Sequence, residues 1–249
     1  MLEPYLAASS SRQTSSLLEA QRLLNQKKRA SDSCRILDLG CGTGNSLVPL
    51  TRNETKIQWF GLDIADSVEV RNRRKATAAL CTYDGTHIPM ESDCMDLVYS
   101  HQVFEHVRHP EQLLAEVFRI IRPGGFLIGS TSHLEPFHSR SYWNYTPYGF
   151  SILLQSAGFE RIELRPGIDG FTLMSRRLFS YLGMSWLFEP FFAQESPLNS
   201  VIESLRILKV GRPKRNALKL YFCGHFVFQA QRGETVHGDT ESANRDWRE

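Results

Sequence analysis

Short apolar segments alternate with amphipathic segments along the first half of the chain. Five apolar segments have the length and composition of buried strands: residues 35–39, 57–62, 79–83, 96–101 and 126–131. Three segments between them have helical spacing: residues 45–50, 66–77 and 110–121. Because strands that alternate with helices usually build a parallel sheet covered on both faces, the pattern predicts an α/β fold.

The second half of the chain follows a different pattern. Residues 146–157 predict a helix that ends at Gly158, and residues 159–165 predict another strand. We expect a helical, aromatic insertion at about 168–212 and a late strand over 218–229. The main domain is therefore predicted at 34–232. A helical extension with a disordered start is expected over 1–33, and a polar, disordered tail over 233–249.

A glycine-rich turn directly follows the first predicted strand. Asp38 is followed by glycines at alternate positions, namely Gly40, Gly42 and Gly44. Glycine is needed where the backbone takes positive φ or where a ligand lies against it, and a helix N-terminus behind the turn offers free N–H groups. The dinucleotide fingerprint requires a glycine where this chain has Asn45, so that interpretation is disfavoured. A carboxylate beside the turn favours a ligand with a positive centre.

Five motifs in this order resemble those of the class I S-adenosylmethionine-dependent methyltransferases, in particular the small-molecule type 11 group. They are Asp38–Gly44, Gly61–Ile64, Tyr83–Pro89, Met95–His106 and the Arg122–Gly125 turn. The resemblance covers about residues 34–165. It implies a Rossmann-like three-layer α/β sandwich, with a mostly parallel seven-stranded sheet and an antiparallel late strand.

The resemblance also implies S-adenosyl-L-methionine as the cofactor and S-adenosyl-L-homocysteine as the product. Asp63 is then expected to bind the ribose hydroxyls, and Asp84 with the backbone after it to read adenine. The predicted cofactor-binding residues are Asp38, Gly40, Cys41, Gly42, Gly44, Asp63, Ile64, Asp84, Gly85, Thr86, His101 and Gln102. Quinone-forming members of the family hold a metal with an acid at the position of Gln102, so we predict no metal here.

Candidate residues for the methyl acceptor follow the fourth and fifth strands. A hydroxyl acceptor needs a base, and His106, His133 and His138 are the candidates in that order. Tyr142, Trp143 and Tyr145 are predicted to bind the acceptor, because aromatic faces stack on sugars and rings. The alternative is that these three residues are core residues that fix the helix starting near Thr146.

Composition limits the partners. The 249 residues carry a formal charge of +2, and no basic stripe indicates nucleic acid. The five cysteines are scattered without a CxxC pair, and the N-terminus has no secretory pattern, so we expect a cytoplasmic protein without a membrane span. Residues 170–192 are unusually apolar and predict a lid over the acceptor, a homodimer face or a shallow membrane contact.

These observations predict an enzyme that methylates a small molecule, on oxygen, in secondary-metabolite or glycan biosynthesis. Transfer to nitrogen or carbon is the alternative within the same chemistry. A non-catalytic protein that retains the cofactor pocket for regulation is the alternative from another class, and a nicotinamide dehydrogenase is disfavoured by the missing glycine.

Overall fold

The computed structural model describes residues 2–7, 12–28, 33–52, 56–73 and 79–234, without the side chains of residues 27 and 28. The helices are α1 Ser16–Lys28, α2 Leu47–Thr51, α3 Val68–Arg71, α4 Pro110–Ile120, α5 Pro147–Ser156, α6 Gly170–Ser180, α7 Pro197–Ser204 and α8 Arg212–Tyr221. The strands are β1 Cys34–Leu39, β2 Ile57–Ile64, β3 Leu80–Tyr83, β4 Met95–His101, β5 Ile121–Ser132, β6 Phe159–Pro166 and β7 His225–Arg232. Short 3-10 helices lie at Glu3–Tyr5, Phe104–His106, Ser185–Phe192 and Leu205–Leu208.

One seven-stranded sheet organises the described residues, in the order β3-β2-β1-β4-β5-β7-β6. The first five strands pair in parallel, and β7 runs antiparallel between β5 and β6. The predicted α/β class, with its mostly parallel sheet and antiparallel late strand, is confirmed. The strand order reverses between β1 and β4, and open α/β sheets bind ligands beside the carboxyl ends of the strands at such a point.

Each central strand contributes alternate side chains to two hydrophobic clusters, one on each side of the sheet. In β4, Val98 packs in the cluster that contains α4, whereas Leu97 and Tyr99 pack in the cluster that contains α1. The neighbouring β5 divides in the same way, with Leu127 on the α4 side and Ile128 on the α1 side. Burial on both faces is why these strands are continuous apolar runs in the sequence.

Local signals fix the helices that flank the sheet. In α4, Pro110 occupies the first turn, and the buried side chains recur at the spacing of one helix face: Leu113, Leu114, Val117 and Ile120. In α5, the Thr146 hydroxyl accepts a hydrogen bond from Gly149 N at 3.0 Å, which caps the N-terminus. Gly158 ends that helix with φ of +96°.

The late strand was placed too early by the apolar pattern. Residues 218–221, predicted to be strand, form the last turn of α8, and β7 begins only at His225. These residues form a helix instead of a strand because Lys219 and Leu220 are fully buried on the inner face of α8. The region predicted as an insertion at 168–212 is helical, and its helices continue to Tyr221. The helix predicted over 66–77 is shorter in the structure: α3 ends at Arg71, with Asn72 as its C-cap, and residues 74–78 lie outside the described residues.

The N-terminal segment packs onto the far edge of the sheet and onto this insertion. Leu6 forms a β-bridge with Leu164, although disorder was expected at the start of the chain. Gln13 Oε1 accepts a hydrogen bond from Asn199 Nδ2 of α7 at 2.8 Å. Within the insertion, the fully buried Lys219 Nζ donates to Glu203 Oε2 at 3.0 Å. The tail from residue 235 onward lies outside the described residues.

Close contact between strands makes Gly129 a position that no side chain can occupy. A Cβ atom there would lie 2.2 Å from Ser100 O and 2.5 Å from the Phe228 ring. We expect Gly129→Ala to lower the free energy of unfolding by roughly 3 kcal/mol in urea titrations, because both neighbours belong to the sheet core. Gly211→Ala is the control, since its Cβ would meet only Pro213 at 3.9 Å, and should cost less than about 1 kcal/mol. Equal losses for the two variants would contradict this account of the packing.

Candidate functional site

A turn of bare backbone lies at the carboxyl end of β1. Gly40, Gly42 and Gly44 have φ of +71°, +52° and +85°, so each takes a conformation that favours glycine. A Cβ on Gly40 would lie 2.3 Å from Val103 Cγ2, which follows β4. The N–H groups of Gly40 and Cys41 donate to Leu62 O at 2.7 and 3.1 Å, which fastens the turn to β2.

Asp63 lies at the end of β2 and faces this turn. Its Oδ2 accepts a hydrogen bond from Gly42 N at 2.7 Å, and its Oδ1 accepts one from Ile64 N at 2.7 Å. Burial raises the pKa of the carboxyl group, and the two backbone N–H groups act in the opposite direction. Each oxygen keeps a free lone pair, so the fixed carboxylate can still accept from a vicinal diol.

Asp38 is the second buried acid at the turn. Ser46 and Asp38 form a short side-chain hydrogen bond, and Trp59 Nε1 donates to the Ser46 hydroxyl at 3.1 Å. Burial raises the pKa of Asp38 to about 7, in spite of the Ser46 hydrogen bond that lowers it, and nearby Asp63 raises it further. No cationic side chain among the described residues pairs with Asp38. A positively charged ligand group would supply the missing charge.

The third acid, Asp84, has a local structural role as well. It follows β3, and its Oδ1 accepts hydrogen bonds from Thr86 N and His87 N at 2.8 and 2.7 Å. The His87 ring lies 2.9 Å from Oδ2 and, with the two N–H groups, lowers the pKa of this exposed carboxyl to about 2. Gly85, with φ of +91°, lies close to Ile64 at the end of β2, because a Cβ on Gly85 would be 3.5 Å from Ile64 Cγ2. Ile64 is partly exposed, so an apolar ring of a ligand could contact it and the Gly85 backbone together.

His101 at the end of β4 connects the sheet to α1. Its Nδ1 lies 3.0 Å from the hydroxyl of Ser16, the first residue of α1, and 2.9 Å from that of Ser130. The ring stacks on Tyr99, and desolvation lowers its pKa to about 4 although the residue keeps contact with solvent. The neutral ring therefore acts as a hydrogen-bonding link that holds the start of α1 beside the strand ends.

Gln102 and Cys41 differ in what they can contribute. Gln102 has φ of +54°, its Nε2 donates a hydrogen bond to Ser130 Oγ at 3.1 Å, and its Oε1 lies 3.2 Å from Ser132 Oγ. Its side chain thus spans the ends of β4 and β5.

Burial raises the pKa of the Cys41 thiol to about 12, so this residue contributes backbone to the turn and no nucleophile.

A second polar cluster surrounds Glu135, just after β5. This carboxylate accepts hydrogen bonds from His225 Nε2 at 2.7 Å, from Arg177 Nη2 at 2.5 Å and from Ser132 Oγ at 2.5 Å. Burial alone would raise the pKa of Glu135, but these donors lower it to about 2. The cluster joins β5, β7 and α6 around a carboxylate that stays ionised.

His138 and His106 meet beside this carboxylate. The His138 Nδ1 lies 3.4 Å from Pro136 O and 3.5 Å from Glu135 Oε1, and burial lowers the pKa of the ring. The ring of His106 is 5.3 Å from that of His138, edge to face. Two of the three histidines predicted as bases therefore lie together.

The same two histidines and Glu105 form the group in the described part of the chain that could hold a metal. Their ligand atoms lie within 4.8 Å of one another. Burial raises the pKa of Glu105 to about 7, and Thr131 Oγ1 donates to its Oε2 at 2.9 Å. To become a metal ligand, the Glu105 carboxyl would have to release its proton and share its oxygens with the metal. The absence of a metal stays a prediction.

The remaining predicted residues divide between core and surface. Burial lowers the pKa of His133, while the backbone of Tyr145 and of Tyr221 acts to raise it, so the ring is surrounded by main chain. Tyr145 is buried, and its hydroxyl donates to Phe104 O at 3.1 Å, which favours the core alternative for this residue. Tyr142 and Trp143 are exposed, and the backbone N–H of Tyr142 donates to Glu105 O at 2.7 Å.

Several residues of both clusters escape sequence reasoning. Ser46 and Ser16 resemble ordinary helix-start residues, and nothing local marks Glu135 as the centre of a cluster. Arg177 and His225 lie 42 and 90 residues away from Glu135 along the chain. The basic pair at Arg176 and Arg177 within an apolar segment is the one signal that could have suggested a buried acidic partner.

Comparison with known proteins agrees with this arrangement. Residues 37–129, from β1 into β5, match the family model described as a methyltransferase domain. A probable S-adenosylmethionine-dependent methyltransferase of Mycolicibacterium smegmatis is 27% identical over 137 residues, which are 50% of this chain and 51% of that protein. The phthiotriol/phenolphthiotriol dimycocerosates methyltransferase 1 of Mycobacterium ulcerans is 30% identical over 147 residues, 58% of this chain and 54% of that protein.

Residues 37–129 are thus similar to a methyltransferase domain, and these comparisons support the resemblance to the class I S-adenosylmethionine-dependent methyltransferases. The chain spans about half the length of the curated relatives it matches. Residues 37–129, which match the family model, contain the glycine turn, Asp63, Asp84 and the β4 loop, which are elements that carried the resemblance in the sequence.

Solved structures share the fold. A Haemonchus contortus phosphoethanolamine N-methyltransferase 2 in complex with S-adenosyl-L-methionine has a TM-score of 0.53 at 19% identity, covering 86% of this chain and 52% of that one. A Mesorhizobium loti S-adenosylmethionine-dependent methyltransferase has a TM-score of 0.51 at 18% identity, covering 87% of this chain and 98% of that one. At these identities the likeness establishes the fold alone.

The pKa of Asp38 predicts a measurable dependence of stability on pH. Its value of about 7 in the folded chain lies above the usual 3.8, so the fold prefers the protonated acid and loses stability as pH rises from about 4 to 7. Between about pH 5.5 and 8 this loss should reach about 2 kcal/mol in urea titrations without ligand.

Asp38→Asn is the control for that measurement, since it keeps a hydrogen-bonding group of similar size without the titration. The part of the pH dependence that Asp38 causes should disappear in this variant, leaving the part due to other groups such as Glu105. An identical pH dependence in both proteins would show that Asp38 ionises normally.

Proposed function

We propose that this chain transfers a methyl group from S-adenosyl-L-methionine to an oxygen atom of a small molecule. The observation that carries the proposal is the pair of buried acids, Asp38 and Asp63, beside a turn in which three glycines with positive φ alternate with other residues. Relatives with methyltransferase names and a solved structure described as a complex with S-adenosyl-L-methionine support the choice of cofactor.

The residues at the strand ends fit the parts of this cofactor. Asp63 has lone pairs left for the ribose hydroxyls, and Ile64 with the Gly85–Thr86 backbone can contact the adenine. Asp38 lacks a cation, which the ammonium or sulfonium group of the cofactor can supply. When bound, the cofactor supplies a methyl group on positively charged sulfur, so the protein mainly has to align donor and acceptor.

The second cluster is suited to accept a proton from a hydroxyl. Pro136 O and Glu135 Oε1, which are both hydrogen-bond acceptors, lie near Nδ1 of His138. The neutral ring therefore carries its proton on Nδ1, and the lone pair on Nε2 is available to accept a proton. Burial lowers the pKa of this ring and keeps it neutral near pH 7, the state in which it can act as a base. We therefore assign the base to His138, with His106 beside it, and not to His133.

Glu135 acts through His138 as a positioning residue. Because His225 and Arg177 keep its carboxylate ionised, it can hold the Nδ1 proton of His138 across the whole neutral range. Arg177 comes from α6, so the insertion completes the acceptor side of the site. The lid predicted over the acceptor therefore rests on the inward contact of Arg177, because the apolar residues of α6 face outward.

The alternatives remain testable within the same assay. A neutral amine acceptor would not depend on a base at His138, and the labelled product would identify a carbon acceptor by the position of its new methyl group. A non-catalytic protein would bind the cofactor without releasing labelled product. The five free cysteines fit a reducing compartment such as the cytoplasm. We place the reaction in secondary-metabolite or glycan biosynthesis because the run from Tyr142 to Phe159 resembles one common among bacterial methyltransferases encoded near genes of those pathways.

Cofactor binding is expected to depend on Asp63. Asp63→Ala should weaken the binding of S-adenosyl-L-homocysteine about a hundredfold or more in calorimetric titrations, because two hydrogen bonds to a charged group are lost. Asp66→Ala is the matched control. This neighbouring acid is exposed and pairs with Arg71 and Arg140 at the surface, so its loss should leave affinity within about twofold. Unchanged affinity in the Asp63 variant would refute the assignment of the pocket.

Turnover is expected to depend on His138. In an assay that follows tritium from labelled cofactor into a metabolite extract, His138→Gln should lower the rate by about 10²–10⁴-fold without changing cofactor affinity. His106→Ala should also slow transfer and spare binding. His109→Gln, an exposed histidine before α4, is the control and should retain the rate. An oxygen-methylated product formed at full rate by the His138 variant would remove this residue from the mechanism.

A further inference from the structure

The apolar face of α6 points away from the protein. Phe171, Met174 and Leu178 recur at the spacing of one helix face, and Tyr181 and Leu182 continue it beyond the last turn. Leu178 is 66% exposed and Tyr181 is 90% exposed. An ordinary surface helix has the opposite arrangement, with its apolar stripe toward the core.

Polar contacts on the inner side fix this orientation. The Asp169 carboxylate caps α6 by accepting from Thr172 N at 2.8 Å, and Arg177 binds Glu135 beside the acceptor cluster. Arg176 binds Glu189 at 2.7 Å, and Leu173 is buried. Because the polar positions of the helix are bound to the protein, the helix cannot turn its apolar side inward without losing them.

Neighbouring elements extend the apolar face. Trp186, in the 3-10 helix that packs against α6, is 65% exposed. At the other end of α6, Gly170 N donates to Phe222 O at 2.7 Å, and Phe222 is also exposed. We call the set Phe171, Met174, Leu178, Tyr181, Leu182 and Trp186 the outer patch. Tyrosine and tryptophan combine an apolar ring with a polar tip, a composition found where protein meets the surface of a bilayer.

The charge of this part of the chain indicates which partner covers the patch. Residues 170–222 contain eight Lys and Arg against three Glu, and with Arg177 neutralised by Glu135 their formal charge is +4, whereas the whole chain carries +2. Arg206, Lys209 and Lys214 are exposed, and the exposed Ile207 and Leu208 lie between the first two. Two copies joined through this region would bring like charges together, while an anionic surface would attract it.

We propose that the outer patch and the basic residues of 206–214 form a peripheral docking surface for an anionic lipid bilayer. The contact is shallow, since no helix in the described residues combines the length and apolar character needed to cross a bilayer. Arg177 links the inner side of the same helix to the acceptor cluster, so docking would bring the acceptor side of the site close to the lipid surface. The proposal goes beyond the proposed function and does not depend on which atom is methylated.

The test is co-sedimentation of the full chain with vesicles, without cofactor or acceptor. Vesicles of equal parts phosphatidylglycerol and phosphatidylcholine should bind the protein about tenfold or more tightly than vesicles of phosphatidylcholine alone, because each basic residue near an anionic surface adds to the affinity. Raising the salt concentration should weaken this binding. Leu178→Ser should reduce it roughly tenfold, and Ile152→Ser, at an exposed apolar position on α5, should leave it unchanged.

Three outcomes would overturn the proposal. The first is the absence of sedimentation with either kind of vesicle. The second is binding that Leu178→Ser and Ile152→Ser affect equally. The third is a stable dimer in gel filtration that Leu178→Ser dissociates, which would assign the patch to a second copy of the chain. None of these results would affect the cofactor titrations with the Asp63 variants, so failure of the docking surface is distinguishable from failure of the proposed function.

Discussion

A buried carboxylate without a cationic partner is the constraint around which the site is organised. Asp38 and Asp63 end adjacent parallel strands, so the geometry of the sheet places two acids of like charge close together. Burial raises the pKa of both, and Asp63 raises that of Asp38 further. Burying two acids side by side costs free energy, and no cationic side chain among the described residues pairs with Asp38. A positively charged ligand group would supply the balancing charge.

In the cluster around Glu135, which we propose faces the methyl acceptor, the protein itself supplies the charged donors. Glu135 is as buried as Asp38, yet its pKa falls to about 2 because an arginine and a histidine reach it from two other elements. Burial raises the pKa of the neighbouring Glu105 to about 7, since its hydroxyl donors are uncharged and Glu135 lies close by. Environments that separate the pKa values of neighbouring acids are typical of sites that move protons. The α6 helix contributes to this separation through Arg177, which also fixes its apolar face outward.

Local signals explain most of what could be predicted. The strands β1 to β5, the glycine turn and the acids at 38, 63 and 84 were found because short apolar runs and alternate glycines are properties of neighbouring residues. The error at 218–221 has the same origin, since an apolar run of that length fits a buried helix face as well as a strand. Tyr145 had two interpretations, acceptor binding with Tyr142 and Trp143 or a core position, and its burial against Phe104 and Phe150 favours the core.

The sequence by itself determined the order of strands and helices, the glycine turn and the identity of the acids beside it, because each depends on spacing along the chain. Only the tertiary structure decided which distant groups meet. Glu135 is joined to His225 across 90 residues, and Ser16 reaches His101 across 85. Packing also decided which side of α6 faces water, since an amphipathic pattern defines two faces but does not state which one is turned inward. Contacts of this kind arise from the path of the chain through the sheet, and no local pattern encodes them.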